Sequence, residues 1–151
     1  MAPTVERVTT PVLLGEGPFW CAERKSLYYV DIMGQAVCRF VPSTKEEYSL
    51  QLGKMTHGYC LFCYRYYNIP SNNHLTCVFT DDKISLVLPV AGSPDKFIIS
   101  KKNKVVLLTW DGKSPKAQSE ELIVVADPEP EKDNRINDGK ADPKGRFWAG
   151  R

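Results

Sequence analysis

Apolar and polar residues alternate along most of this chain in short runs, each bounded by turn residues. Ser26 to Ile32, Ala36 to Val41 and Glu47 to Leu52 are rich in β-branched and aromatic side chains, and each reads as a strand with one buried face. Gly34-Gln35 and Pro42-Ser43-Thr44-Lys45 supply the turns between them. The same texture resumes after residue 80 in Ile84 to Val90, Lys96 to Ser100, Val105 to Trp110, Glu121 to Ala126 and Arg146 to Ala149. Residues 1 to 13 are extended and polar, with Pro3 and Pro11 opposing a helix. No stretch holds a helical period over a helical length, so the expected class is all-β.

Composition narrows the function classes. With 151 residues, 42% hydrophobic and 25% charged, the chain fits one globular domain. A net charge of +2 gives little electrostatic steering, so neither nucleic acid nor an anionic membrane is implied as a partner. Lys101-Lys102-Asn103-Lys104 is expected to be a solvated hairpin turn, because it has no interleaved aromatics to stack on bases. No apolar run is long enough for a membrane span, and Met-Ala-Pro-Thr-Val-Glu lacks the basic and apolar regions of a leader, so a cytoplasmic protein is expected. The five cysteines, an odd number, should then be reduced thiols, with Cys21 and Cys38 acting as small buried hydrophobes.

The chemistry is concentrated near residue 135. Asn134-Arg135-Ile136-Asn137-Asp138 puts a guanidinium, two amides and a carboxylate into five positions, ahead of a turn at Asp142-Pro143-Lys144-Gly145 and an aromatic strand. Arg135 offers a planar fork of donors, while Asn137 and Asp138 offer hard oxygens. Gly139 is expected to take a positive φ, folding the loop so that these groups converge. Residue types alone leave open a polar surface turn or a ligand-holding loop. Glu16, between Gly15 and Gly17, is similarly either a solvated turn carboxylate or one brought to a crowded place.

Asn134 to Gly150 resembles the signature of the SMP-30/gluconolactonase/luciferin-regenerating-enzyme family, the regucalcin-like six-bladed β-propellers. Leu14-Gly15-Glu16-Gly17-Pro18-Phe19-Trp20 with Leu27-Tyr28-Tyr29-Val30-Asp31-Ile32 resembles that family's first-blade motif, and Pro89 to Pro94 with Leu108 to Gly112 resembles the luciferin-regenerating branch. The resemblance covers about residues 5 to 53 and 81 to 151 and implies a partial propeller of about two and a half blades within residues 1–151. A recurring turn-then-strand pattern at Ala22 to Tyr29, Ser93 to Ile99 and Asp142 to Trp148 fits radial repetition, with about 50 residues between the last two and about 70 between the first two.

The extra length falls between Lys54 and Thr80, where the resemblance lapses. This segment holds both histidines, three of the five cysteines and four of the seven tyrosines, a break in composition that marks it as an insertion. Cys60-x-x-Cys63 with His74-x-x-Cys77 has the spacing of a zinc site. A surface loop is a second reading. A translated retained intron is a third: Gly53-Lys54 is encodable by a splice-donor sequence, and Val78-Phe79-Thr80 by a pyrimidine tract closing on an acceptor.

The resemblance also implies hydrolysis of sugar lactones or related esters at one divalent cation, calcium or zinc. It assigns Glu16 as a metal ligand and Arg135 and Asn137 as substrate-binding residues. The Asn and Asp that complete the metal site, the Asp also being the expected base, and an acidic substrate contact lie, in the family, beyond the position matched by Arg151. The expectation is therefore an unclosed array whose exposed blade faces favour aggregation or docking, with little or no catalysis. The alternative class is a non-catalytic calcium-binding regulator of regucalcin type, or a non-functional splice product.

Overall fold

The computed structural model describes residues 2–53, 83–125 and 134–150; the 54–80 insertion, with Cys60, Cys63, His74 and Cys77, and the 127–133 loop lie outside them. Ten strands and no helix occur among the described residues: β1 (Gly15–Cys21), β2 (Ser26–Asp31), β3 (Ala36–Val41), β4 (Glu46–Gln51), β5 (Val87–Pro89), β6 (Lys96–Lys101), β7 (Lys104–Thr109), β8 (Ser119–Val125), β9 (Asp138–Ala141) and β10 (Phe147–Gly150). They form three antiparallel sheets, β1-β2-β3-β4, β5-β6-β7-β8 and β9-β10, which do not close on one another. The two larger sheets are meanders: four-residue turns join the strands of the first, and connections of two to nine residues join those of the second. Lys25, Gln35 and Lys45, each the last turn residue before a strand, take positive φ values of 45°, 52° and 58°.

Side-chain alternation decides the stacking. Tyr28 and Val30 of β2, Val37 of β3 and Leu50 of β4 meet Phe97 and Ile99 of β6, Val106 and Leu108 of β7 and Trp110 in one core. At its centre Phe97 lies 5.1 Å from the Tyr28 ring and 5.7 Å from the Trp110 ring. The second sheet's other face is covered too: Leu86, just ahead of β5, packs with Leu88, Val105 and Ile136, and the partly buried Phe19, Ile98 and Phe147 flank them. The second sheet is thus covered on both faces, and Ile136 fastens the segment ahead of β9 to it. Burying each such large side chain contributes about 1.5–3 kcal/mol.

Four sequence expectations need correction. Gly15-Glu16-Gly17-Pro18 is not a free turn but the start of β1: Glu16 pairs with Val30, then the register shifts before Phe19 pairs with Tyr28. Gly17 absorbs the shift at φ +58°, so Gly-Pro, which reads as a breaker, here makes a bulge within a strand. Ile84 to Leu86 precede β5 instead of belonging to it, because the Ser85 N–H donates to the Ser100 hydroxyl at 3.0 Å and not to a ladder partner. Gly139 is not among the positive-φ glycines and lies in β9; its value is the missing Cβ, which would sit 2.8 Å from the Trp148 carbonyl oxygen and 3.0 Å from Leu86 Cδ2. The Lys101–Lys104 turn is not wholly solvated: Asn103 is buried, and Lys101 Nζ stands 2.6 Å from Glu120 Oε2.

Cys21 and Cys38 are buried and unbridged, as expected of small hydrophobes. Burial pushes the Cys38 thiol above its ordinary pKa, which keeps it protonated and inert. No described helix is long and apolar enough to cross a membrane.

Candidate functional site

Glu16, Arg135 and Asn137, far apart in sequence, line one pocket of about 170 Å³ together with Leu14, Gly17, Ile32, Ser85 and Asp138. Two devices bring them there. The buried Asp31 carboxylate sets the approach to β1, accepting from the N–H groups of Leu13 and Leu14 at 3.0 Å each and of Gly34 at 2.8 Å. The Ile32 N–H returns to the Leu14 carbonyl at 3.0 Å, and two residues later the bulge carries Glu16 into the pocket. A carboxylate that accepts three backbone donors is a strong local anchor.

The other side is built around Ile136. Its side chain is 3% exposed in the second core, while Arg135 is part-buried and Asn137 exposed on either side of it. Alternation in an extended segment puts those two neighbours on the face opposite the buried one. The Ile136 N–H donates to the Lys102 carbonyl at 2.9 Å and the Asn137 N–H to the Gly150 carbonyl at 2.8 Å. The Ile136 carbonyl accepts from Arg135 Nη1 at 3.2 Å and from the Ser85 hydroxyl at 2.5 Å. Asp138 Oδ1 accepts from the Gly139 N–H at 2.7 Å.

Glu16, Gly17 and Asp138 also border an adjoining pocket of about 140 Å³, floored by Phe19, Leu86, Val87 and Leu88 and edged by Lys140. Two carboxylates, an amide and a guanidinium beside an apolar floor can orient an oxygen-rich ligand with a carbon skeleton. Sequence reasoning named the hard oxygens of Asp138 but missed Ser85, whose only signal was a hydroxyl inside the apolar run Ile84 to Leu88.

Glu16, Asp138 and Asn137 supply the oxygen donors that a hard divalent cation prefers, so they fit in type. They provide part of the roughly six to eight oxygens calcium takes. No group of three or more His, Cys, Asp and Glu side chains suited to a metal exists among the described residues.

The sequence profile of the SMP-30/Gluconolactonase/LRE-like region matches residues 14–151, nearly the whole chain. The chain belongs to this family. Among its curated relatives, regucalcin of Xenopus laevis is 31% identical over 137 residues, which are 91% of this chain and 34% of that protein. A putative sugar lactone lactonase, YvrE, of Bacillus subtilis (strain 168) is 27% identical over 93% of this chain and 36% of its own length. A 6-deoxy-6-sulfogluconolactonase of Pseudomonas putida is 26% identical over 95% of this chain and 37% of its own length. The solved structure of a luciferin-regenerating enzyme superposes with a TM-score of 0.69 at 33% identity, covering 91% of this chain and 36% of that one. The chain thus spans about a third of the length of these SMP-30/gluconolactonase-type relatives.

Proposed function

We propose that this chain supplies the substrate-orienting side of a lactone hydrolase of the gluconolactonase or luciferin-regenerating type, its two four-stranded sheets and hairpin being blades of a six-bladed propeller. The observation that carries the reading is the convergence of Glu16 with Arg135 and Asn137 on one pocket, in a family whose members include named lactonases.

Arg135 presents its guanidinium fork to the ring and carbonyl oxygens of a lactone, with Nη1 steadied on its own Ile136 carbonyl. Asn137 adds its amide donors and carbonyl acceptor from the same face of the segment, so the sugar is gripped at two points and cannot rotate. Glu16, with Asn137 and Asp138 nearby, would hold a single divalent cation, calcium or zinc. Bound there, a divalent cation supplies Lewis acidity toward a carbonyl and acidifies a water. The apolar floor at Leu86 and Leu88 keeps bulk water from the lactone's carbon face.

A second reading, a non-catalytic calcium-binding regulator, rests on the relatives named regucalcin. Calorimetric titration of gluconolactone into the purified chain, with and without calcium or zinc, separates the two. Metal-dependent gluconolactone binding that Glu16→Gln abolishes supports the hydrolase. Calcium binding that depends on Glu16, with no gluconolactone binding, supports the regulator.

A further inference from the structure

Ser85 and Ser100 are 1% and 0% exposed, and both hydroxyls are spent on a short relay that ends at the candidate site. Ser85 Oγ stands 2.5 Å from the Ile136 carbonyl oxygen and 2.8 Å from Ser100 Oγ. A carbonyl cannot donate, so the one Ser85 proton goes to Ile136. Ser100 must therefore donate to Ser85 Oγ, and it accepts the Ser85 N–H at 3.0 Å. Direction is fixed throughout: Ser100 to Ser85 to Ile136, closed on itself by the Ser85 N–H. Such a chain polarises each bond in turn.

The receiving carbonyl also accepts Nη1 of Arg135. Ser85 thereby holds the atom on which Arg135 rests and the residue from which Asn137 projects. Ser85 itself lines the same pocket. We infer that the Ser85–Ser100 pair is a positioning device for the ligand-gripping segment: it fixes the height and rotation of the Ile136 peptide and so aims Arg135 and Asn137. The inference rests on the proposed lactone site for its consequence, but not for its geometry.

The relay's direction makes the two serines unequal. Ser85→Ala removes the donor to Ile136. Ser100→Ala leaves that donor in place and orphans the Ser85 N–H, so it lowers stability without releasing the segment. Ser85→Cys preserves volume while weakening the donor, so it separates packing from hydrogen bonding.

The experiment is amide hydrogen exchange at Ile136 and Asn137 in the purified chain, paired with calorimetric titration of gluconolactone. Ser85→Ala and Ser85→Cys are expected to speed exchange at both amides about tenfold relative to the global change, the equivalent of one hydrogen bond, and to weaken gluconolactone binding by a similar factor. Ser100→Ala is expected to lower the unfolding midpoint with no extra exchange at those amides. Unchanged exchange in both Ser85 variants, or equal local effects from Ser85→Ala and Ser100→Ala, overturns the inference. If the wild-type chain binds no gluconolactone, the lactone reading fails while the exchange data still decide the relay.

Discussion

Arg24, in the turn between β1 and β2, stands over Phe97 of β6 with its Cζ 4.6 Å from the ring centroid, and so stitches the first sheet to the second. Its Nη2 donates to carbonyls around the turn between β5 and β6: Val90 at 3.2 Å and Ser93 in the turn, and Lys96 at 3.4 Å at the start of β6. Those carbonyls already accept N–H groups from within the same turn, which draws them into a ring around the guanidinium. Arg24→Ala is expected to destabilise the chain by about 2–3 kcal/mol, read as a lower urea midpoint. Arg24→Lys should recover only part of that, since an ammonium enters the carbonyl ring but cannot stack flat on Phe97.

Asp31 carries the first sheet's side of the site. Asp31→Ala leaves the N–H groups of Leu13, Leu14 and Gly34 without their acceptor and is expected to cost about 3 kcal/mol or more. Asp31→Asn keeps one acceptor oxygen and should fall between. Because the lost bonds lie just ahead of Glu16, both variants should weaken metal or lactone binding more than an equally destabilising Phe97→Ala does. Calorimetry alongside urea unfolding reads both quantities.

Tyr29 gives a pH signature. Burial, helped by the neighbouring Cys38 and Glu47 and opposed by a hydrogen bond from Thr9, pushes its phenol from 10.0 up to about 12. A raised folded-state value means stability fully present below the unfolded value of 10.0 and lost as pH climbs from there toward about 12. Ultraviolet titration of wild type against Tyr29→Phe should show a late-ionising phenol that the substitution removes, and Tyr29→Phe should flatten the alkaline loss of stability.

Much of this was legible in the residues. The strands after Ser26 and before Leu52 follow from alternation, and the aromatic core follows from the same positions. Glycine misled twice, in opposite senses. Gly17 does take a positive φ, yet inside a strand; Gly139 does not, and its small size serves a close approach to Trp148 and Leu86. A sequence shows that a glycine is present but not whether conformation or space demands it. Ser85 was illegible for a related reason: its role depends on Ser100 and Ile136, which reach it only through pairing distant along the chain.

The central claim is that Glu16 and the Arg135–Asn137 segment form one ligand site. Its most direct test is calorimetric titration of gluconolactone into the purified chain in calcium, for wild type, Glu16→Gln, Arg135→Ala and the double variant. One shared site predicts measurable binding that each single change weakens at least about tenfold, with the double variant losing less than the sum of the two losses. Wild-type binding that neither substitution alters, or no binding in calcium or zinc, would contradict it.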